Sequence, residues 1–404
     1  MGEYFDALET RLADARAAAL GEALAALVAK AANLPGYGDA LKGAAVAGLD
    51  DLAKLPVMRK TALMERQGAG NPLGGFAGPL QGFAHVFQSP GPIYEPGQTG
   101  HDWWRFGRFL HAVGIGAGDV VQNCFGYHMT PAGMMFENGA RAVGATVFPA
   151  GTGQTELQVR AAQDIGCTAY SGTPDYLMKI LEAADEAGVT LGFAKAAVSG
   201  GALFPAMRQA YADRGIICLQ CYATADLGNI AYESPAQEGL IVDEGVLVEI
   251  VRPGTGDPVP EGEVGEVVVT ALTPDYPLIR FATGDLSAVL PGQSPCGRTN
   301  MRIKGWMGRA DQTTKIKGMF VRPEQVAAFA ARHDDIAKVR VVAAREGNED
   351  VIIVHIETEL SDADAYAASI GEVLKLKGRV ELAPVGSLPN DGKVIDDQRD
   401  YDKG

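Results

Sequence analysis

Residues 281–318 read FATGDLSAVLPGQSPCGRTNMRIKGWMGRADQTTKIKG, and this stretch decides how the rest of the chain is interpreted. Asp285 follows a Thr-Gly turn, Arg309 and Asp311 follow a second glycine, and Lys315 lies four residues further on. A carboxylate accepts hydrogen bonds from sugar hydroxyls, and a guanidinium or ammonium group neutralises a phosphate. The stretch therefore predicts a site for a ribose and its attached phosphate.

The composition of the chain limits the kind of protein it can be. Its 404 residues suffice for more than one domain, and 47% hydrophobic with 21% charged residues is typical of a globular protein. A net charge of −15 repels phosphate backbones, so we expect neither nucleic acid nor an anionic membrane as a general partner. The first residues lack the basic region of a signal peptide, and we predict a cytoplasmic protein.

The hydrophobic pattern predicts an α/β protein. Residues 1–67 have a mostly helical pattern, and short apolar runs alternate with helical stretches over residues 85–198, which is typical of a parallel sheet with binding at the strand ends. Residues 245–274 contain two strands joined by a Gly/Pro-rich turn, which predicts a β subdomain. We expect a large N-terminal domain with mostly parallel α/β sheets plus this subdomain, and a small C-terminal α+β lid domain.

Two of the five cysteines, Cys218 and Cys221, form a CxxC pattern that is compatible with redox chemistry or half of a zinc site. Both lie in the apolar run GIICLQCYA, which has the composition of a strand. Residues three apart on a strand point to opposite faces, so buried, reduced thiols are the alternative that the pattern favours.

Several longer motifs follow one another along the chain: LPVMRK, GATVFPAGTGQT, TPDYLMKI, GEVGEVVVTALTPDYPLIRFATGDL, CGRT, GRADQTTKIKG and SLPNDGKVIDDQR. Together they resemble the phenylacetate–CoA ligase family of adenylate-forming enzymes. The resemblance implies an ATP-dependent ligase that converts an aromatic or small organic acid to an acyl-adenylate and then to a CoA thioester. It implies ATP/AMP, Mg²⁺ and coenzyme A as cofactors, an AMP-binding domain over residues 1–310, a mobile lid over residues 311–404, and a possible homodimer.

The resemblance also implies roles for two segments beside the predicted sheet. The turn at Gly200, Gly201 and Ala202 resembles the adenine-contacting turn, for which an ordinary strand-to-helix turn is the alternative. In the segment Tyr222-Ala223-Thr224-Ala225-Asp226, the ring of Tyr222 would lie against adenine, Ala223 and Thr224 would line the nucleotide site, and Asp226 would be catalytic through Mg²⁺. The family has Glu where this chain has Asp226, and a hydroxyl where it has Ala225.

Further roles are implied nearer the C-terminus. Asp285 resembles the carboxylate that binds the ribose hydroxyls, Arg309 the arginine that holds ribose or phosphate, and Asp311 the hinge of the lid, with Lys315 as a basic residue beside it. Lys393, in the turn LPNDGK, resembles the lysine that stabilises the transition state of adenylation. An exposed ion pair for Asp285 and Arg309, and a solvated lysine for Lys393, are the alternatives.

The phosphate loop departs from the family pattern. The family has a Ser/Thr/Gly-rich loop ending in Gly-Lys-Pro, whereas residues 88–96 of this chain read QSPGPIYEP. Ser89 and Gly91 keep the expected character, but the lysine is absent and Glu95 is close to its place. A carboxylate there opposes triphosphate binding, so either ATP is held differently or the protein has drifted from ATP use.

The pocket for the acyl group is predicted around Tyr127, His128, Met134 and Phe136, because aromatic and Met side chains suit a planar apolar acid. They suit a hydrophobic core equally well. Two other functions remain open from the sequence: an adenylating enzyme that passes its acyl group to an acceptor other than CoA, and a catalytically weak relative that binds a nucleotide or an aryl acid.

Overall fold

The computed structural model describes residues 2–310, 312, 314–316, 319–346 and 349–399. The chain divides into two compact units. Unit 1 comprises Met1–Val248, Val269–Phe281 and Leu290–Gly305, and unit 2 comprises Glu249–Val268, Ala282–Val289 and Trp306–Gly404. Unit 2 thus includes the predicted lid together with Glu249–Val268, Ala282–Val289 and residues 306–310. The predicted lid boundary and motion stay predictions.

The described residues form the following α-helices and β-strands. The helices are α1 (Ala13–Ala31), α2 (Lys60–Arg66), α3 (Gly107–Val113), α4 (Ala132–Ala142), α5 (Thr155–Ile165), α6 (Pro174–Glu186), α7 (Pro205–Asp213), α8 (Pro323–Ala330) and α9 (Asp364–Leu374). The strands are β1 (Met58–Arg59), β2 (His85–Ser89), β3 (Ile93–Gly97), β4 (Val120–Asn123), β5 (Thr146–Phe148), β6 (Ala169–Gly172), β7 (Lys195–Val198), β8 (Ile217–Thr224), β9 (Gly228–Tyr232), β10 (Leu240–Val242), β11 (Val246–Val251), β12 (Gly265–Ala271), β13 (Leu278–Ser287), β14 (Val289–Leu290), β15 (Arg302–Ile303), β16 (Thr314–Ile316), β17 (Met319–Val321), β18 (Lys338–Glu346), β19 (Glu349–Glu357), β20 (Arg379–Ala383) and β21 (Ile395–Asp397).

A nine-stranded sheet with the order β14-β15-β10-β9-β8-β7-β6-β4-β5 contains most strands of unit 1. Strands β5, β4, β6, β7 and β8 are parallel, and β8, β9, β10 and β15 are antiparallel. A second sheet has the order β1-β13-β12-β11. Parallel and antiparallel sheets together confirm the predicted α/β class.

Alternate residues of the parallel strands pack into two separate hydrophobic clusters. Ala169 of β6 and Leu219 of β8 belong to a cluster with residues of α3 and α4. Their neighbours Tyr170 and Cys218 belong to a cluster with residues of α5, α6 and α7. Because successive side chains of a strand point to opposite faces, helices cover this sheet on both sides. The carboxyl ends of β7 and β8, where the turn after β7 is exposed, are consequently the place where a ligand can approach the strands.

One predicted strand lies outside this parallel arrangement. The first apolar run of the stretch for which a parallel sheet is predicted, at residues 84–88, forms β2, but β2 pairs antiparallel with β3 in a separate hairpin, with Ser89 opposite Ile93. Only three residues connect the two strands, and a parallel pair needs a crossover of a dozen residues or more. The hairpin therefore presents Ser89 and Glu95 on one two-stranded ribbon.

The last part of unit 2 has a sheet with the order β20-β19-β18-β21, and a cluster of apolar side chains from α8, α9 and these strands forms its core. Strand β21 pairs parallel with β18, with Ile395 opposite Val341. This mixture of helices and strands agrees with the α+β character predicted for the C-terminal residues. Among the described residues, no helix combines the length and the apolar character that crossing a membrane requires.

Candidate active site

The carboxyl ends of two adjacent parallel strands bring two predicted segments together. Ser199 follows β7, and its hydroxyl donates a hydrogen bond of 3.0 Å to the carbonyl oxygen of Cys221 in β8. Gly200 has a φ of +70°, which favours glycine and turns the backbone away from the sheet. Tyr222 is half-buried at the same edge, where a register shift occurs between Tyr222 and Ala223. The structure thus places the predicted adenine turn, up to Ala202, beside the predicted aromatic residue.

The turn after β8 places the carboxylate of Asp226 in the interior of the protein. Ala223 and Thr224 end the pairing with β9, and the Thr224 hydroxyl accepts a hydrogen bond of 3.2 Å from the backbone N–H of Leu227. Asp226 follows and is buried. The Thr224 hydroxyl, which lies one position before the one where the family has a hydroxyl, therefore stabilises the turn. The Asp226 carboxylate is the remaining group of this segment that could bind a ligand.

Asp226 pairs with a lysine from the N-terminal region of unit 1. The ammonium of Lys60, at the start of α2, lies 2.9 Å from Oδ2 of Asp226. The Asp226 side chain is 1% exposed and the Lys60 side chain 38% exposed. Oδ1 of Asp226 accepts no hydrogen bond from the residues that the structure describes. Lys60 belongs to the LPVMRK motif, but no sequence pattern places it beside a residue 166 positions away.

The hairpin β2–β3 carries the residues of the altered phosphate loop. Ser89 is buried at the end of β2, Gly91 is exposed in the turn, and Glu95 is buried on β3. The Ser89 hydroxyl donates a hydrogen bond to Oε1 of Glu95. Burial and then the charge of Asp226 raise the pKa of Glu95 to about 8, although Ser89 and Lys60 act in the opposite direction. A buried carboxyl group thus lies where the resemblance implies an ammonium group.

In unit 2, Asp285 and Arg309 contact one another. Residues 285 and 309 form an isolated antiparallel bridge, and Nη1 of Arg309 donates a hydrogen bond of 2.8 Å to Oδ1 of Asp285. The indole N–H of Trp306 donates to the same oxygen at 3.1 Å. The side chain of Asp285 is 11% exposed and that of Arg309 is 56% exposed, so the pair lies at the surface of its unit with the guanidinium outward.

Gly284 lets the arginine approach this closely. Its φ is +73°, and a Cβ atom built there would lie 2.8 Å from Nη2 of Arg309. The hydroxyl of Thr283 accepts a hydrogen bond from the backbone N–H of Asp285 at 3.2 Å and donates to the carbonyl oxygen of Val267 at 2.9 Å. The Thr-Gly-Asp sequence therefore builds a fixed turn that presents the carboxylate.

The turn that carries Lys393 packs against the strand that carries Asp285, within the same unit. A Cβ atom at Gly392 would lie 2.7 Å from Val264 and 3.2 Å from Leu286, the neighbour of Asp285. The ammonium of Lys393 lies 2.8 Å from Oδ1 of Asp396. The structure therefore brings the predicted catalytic lysine close in space to the strand of the predicted ribose-binding acid.

Gln312 holds this turn in place through both ends of its amide. Nε2 donates a hydrogen bond of 2.9 Å to the carbonyl oxygen of Gly392, and Oε1 accepts from the backbone N–H groups of Val394 and Ile395, the latter at 2.7 Å. Asp311 lies outside the described residues, and of Lys315 only the backbone is described, in β16 opposite Phe320. The roles predicted for Asp311 and Lys315 stay predictions.

The four residues of the predicted acyl pocket have different surroundings. The hydroxyl of Tyr127 accepts a hydrogen bond from Asn123 at 2.7 Å and donates to Glu137 at 3.0 Å, and His128 is exposed. Met134 is half-buried, whereas Phe136 is buried in the core with its ring stacked on Phe125 at 4.2 Å. Phe136 thus packs in the core against Phe125, and the pocket role of all four residues stays a prediction.

The cysteines of the CxxC pattern behave as core residues. Both Cys218 and Cys221 are free and buried in β8. Burial raises the pKa of each thiol to about 12. Thiols in this state are unreactive, as the strand pattern favoured.

The curated proteins that this chain is similar to are named phenylacetate-coenzyme A ligase. No model of a protein family matches the chain. Over 328 residues, the chain is 33% identical to a phenylacetate-coenzyme A ligase of Thermus thermophilus, covering 77% of this chain and 73% of that protein. Over 347 residues, it is 30% identical to a phenylacetate-coenzyme A ligase of Aromatoleum evansii, covering 80% and 77%.

A solved structure shares the fold. The crystal structure of a 2-hydroxyisobutyryl-CoA ligase, in complex with 2-HIB-AMP and CoA in its thioesterification state, matches with a TM-score of 0.71 at 24% identity. The match covers 99% of this chain and 93% of that one.

Proposed function

Because the chain belongs to the phenylacetate–coenzyme A ligase family, we propose that it is an ATP-dependent acid–CoA ligase acting on an aromatic or small organic carboxylic acid. The observation that carries the proposal is the packing of the Lys393 turn on the strand of Asp285, since a Cβ atom at Gly392 would lie 3.2 Å from Leu286. This packing supports a common site for an ammonium group and a ribose-binding carboxylate. The 2-hydroxyisobutyryl-CoA ligase, which binds an acyl-adenylate and CoA, lends further support.

In the first half-reaction, an oxygen of the substrate carboxylate attacks the α-phosphorus of ATP, the bond to the β-phosphate oxygen breaks, and pyrophosphate leaves. Asp285 accepts hydrogen bonds from the ribose hydroxyls, and Arg309 holds the ribose or its phosphate. Lys393 offsets the negative charge that develops at the α-phosphate. Tyr222 and the turn from Gly200 to Ala202 lie along the adenine.

The residues around Asp226 fit a bound Mg²⁺, because Oδ1 of this buried carboxylate accepts no hydrogen bond from described residues and hard cations prefer oxygen ligands. When bound, the ion neutralises phosphate charge. Asp226 would hold it on one side while Lys60 fixes the other carboxylate oxygen.

In the second half-reaction, the sulfur of CoA attacks the acyl carbon of the mixed anhydride, the acyl–oxygen bond breaks and AMP leaves. Formation of the anhydride in a first step makes the acyl carbon reactive toward a thiol. The acyl group would lie near Tyr127, His128, Met134 and Phe136.

The experiment measures pyrophosphate release over a panel of aryl and short aliphatic acids, followed by thioester formation with CoA or with a carrier protein. We expect release with at least one acid, and loss of about 100-fold or more in Lys393→Ala. Lys377→Ala, which removes an exposed lysine of the same unit, is the control. Release that Lys393→Ala leaves unchanged contradicts the assignment of this lysine, and no release with any acid contradicts the ligase.

A second candidate function is a catalytically weak protein that binds a nucleotide or an aryl acid, and the buried Glu95 in the phosphate loop favours it. Calorimetry with ATP, AMP and CoA separates the two functions. Tight binding of AMP without pyrophosphate release supports the binding protein, whereas release with any acid supports the ligase.

A further inference from the structure

Trp306 keeps most of its ring at the surface, although the one polar group of its side chain bonds to a charged residue. Trp306 is 61% exposed, and its indole N–H donates a hydrogen bond of 3.1 Å to Oδ1 of Asp285. An indole that is so exposed contributes little to a hydrophobic core, and its N–H could bond to water instead. The hydrogen bond to Asp285 is therefore the contact of Trp306 that calls for a function.

The backbone beside this contact is held in a fixed register. The N–H of Met307 donates to the carbonyl oxygen of Leu286 at 2.9 Å, and the N–H of Leu286 donates to the carbonyl oxygen of Gly308 at 2.9 Å. Trp306 thus precedes a residue that pairs with the neighbour of Asp285. The two side-chain rotations of the tryptophan are what remains to be restricted, so the entropic cost of the hydrogen bond is small.

Two donors meet on one oxygen of Asp285. Nη1 of Arg309 lies 2.8 Å from Oδ1, and the indole nitrogen of Trp306 lies 3.1 Å from it. A carboxylate oxygen has two lone-pair directions, so these donors occupy both. Rotation of the carboxylate would break both hydrogen bonds together, and the plane of the group is therefore fixed. This plane decides whether the carboxylate can accept from the two neighbouring hydroxyls of a ribose.

The two donors differ in what they do when a nucleotide binds. Arg309 is charged, its side chain is 56% exposed, and the proposed function assigns it to the ribose or its phosphate. A guanidinium that turns toward a phosphate leaves Oδ1 of Asp285. The indole N–H is neutral and is drawn less strongly to a phosphate, so it stays on the carboxylate. Trp306 is then the donor that keeps Asp285 in place.

We propose that Trp306 is a positioning residue for ribose recognition: its indole N–H holds the Asp285 carboxylate in the orientation that accepts the 2′- and 3′-hydroxyls. The inference rests on the proposed function, which assigns the ribose to Asp285. None of the motifs that resemble the ligase family contains Trp306. The expected consequence is a preference for ribonucleotides over 2′-deoxyribonucleotides that depends on the indole N–H and not on the area of the ring.

Calorimetry with AMP and 2′-deoxy-AMP tests this role in the full chain. Trp306→Phe keeps an aromatic ring without an N–H, and it should lower the preference for AMP about three- to tenfold. Trp306→His, measured at about pH 8, carries an N–H on a smaller ring and should restore part of the preference. Trp103→Phe is the matched control, because the indole N–H of Trp103 makes no hydrogen bond within the described residues.

Nuclear magnetic resonance of nitrogen-labelled tryptophan side chains tests the hydrogen bond itself, without nucleotide. The chain has three tryptophans, and the signals missing from Trp306→Phe and Trp103→Phe identify two of them. Asp285→Ala should shift the indole signal of Trp306 and leave that of Trp103 in place. Urea unfolding checks that Trp306→Phe is as stable as the parent chain, as the exposure of the side chain predicts.

The proposal is overturned if Trp306→Phe keeps the preference of the parent chain, if it weakens the binding of both nucleotides equally, or if Trp306→His is no better than Trp306→Phe. An indole signal of Trp306 that does not move in Asp285→Ala also overturns it. A parent chain that binds neither nucleotide contradicts the proposed function itself, whereas each of the other outcomes contradicts the role of Trp306 alone.

Discussion

Lys393 lies 2.8 Å from Asp396, and this carboxylate also accepts hydrogen bonds from Arg340 at 2.8 Å and Gln398 at 2.9 Å. Burial acts to raise the pKa of Asp396, but the hydrogen bonds from Lys393 and Arg340 outweigh it and hold that pKa well below its usual range. Asp396 therefore stays ionised at neutral pH. The ammonium group must leave this partner before it can contact a phosphate.

Asp396→Asn should weaken the hold on Lys393. The Lys393 side chain is 49% exposed, so the ion pair contributes only about 0.5–1 kcal/mol. We expect a rise of about two- to fivefold in the rate of acyl-adenylate formation, measured as single-turnover pyrophosphate release. The double variant with Lys393→Ala should show no such rise. A slower rate in Asp396→Asn at unchanged stability would mean that this carboxylate positions the lysine for catalysis instead.

Asp285→Asn should lose the recognition of ribose. A hydrogen bond to a charged group contributes about 1.5–3 kcal/mol, so AMP should bind about 10- to 100-fold more weakly, as calorimetry can measure. The parent chain should also prefer AMP over 2′-deoxy-AMP, and the variant should lose most of this preference. Equal discrimination by both proteins would place the ribose elsewhere.

Gly284→Ala should disturb the same site through the neighbouring arginine. The new methyl group would meet Nη2 of Arg309 at 2.8 Å, and the positive φ adds strain of about 1 kcal/mol. We expect lower stability in urea and weaker AMP binding. Gly386→Ala is the matched control, because its φ is +83° but a Cβ there meets no atom within 4 Å. If Gly284→Ala and Gly386→Ala bound AMP with equal affinity, the contact between residue 284 and Arg309 would have no role in AMP binding.

Glu95 should give the stability of the protein a distinctive pH dependence. The pKa of this carboxyl is about 8 in the folded chain and near 4.5 when unfolded, so between these values the folded state binds the extra proton. Stability therefore falls as pH rises through this window, by up to about 1.4 kcal/mol for each pH unit. Glu95→Gln should remove this component, as urea unfolding of metal-free protein at several pH values can test. Parallel pH curves for the two proteins would show that Glu95 is ionised throughout.

Strands β4–β8 and helices α3–α6 could be predicted from the sequence, because each is specified by its own period of apolar residues and by the glycines and prolines that end it. Strand β21 could not, since three residues of sequence Ile-Asp-Asp carry no periodic signal and become a strand only by pairing with β18. Residues 84–88 could likewise be predicted as a strand, but not as part of a hairpin, because the apolar pattern does not show which strand they pair with.

The residues of the candidate site also fall into those that a sequence motif identifies and those that only the fold brings together. Its residues could be named where a motif contains them, as with Asp285 and Arg309. The partner of Asp226 could not, because Lys60 reaches it from 166 positions away through the fold alone. The partner of Lys393, Asp396, lies only three residues further along the chain. No sequence pattern, however, distinguishes an acidic residue that forms an ion pair after a turn from one that is exposed to solvent.

Gln312 holds the Lys393 turn because its amide group both donates and accepts hydrogen bonds, and not because of the size of its side chain. One end of its side chain satisfies a carbonyl oxygen and the other satisfies two backbone N–H groups. Glutamate, with the same shape, would turn an acceptor toward the carbonyl of Gly392, and leucine would leave three backbone groups without a partner. A neutral side chain that both donates and accepts is thus what this one position requires to hold the Lys393 turn in place.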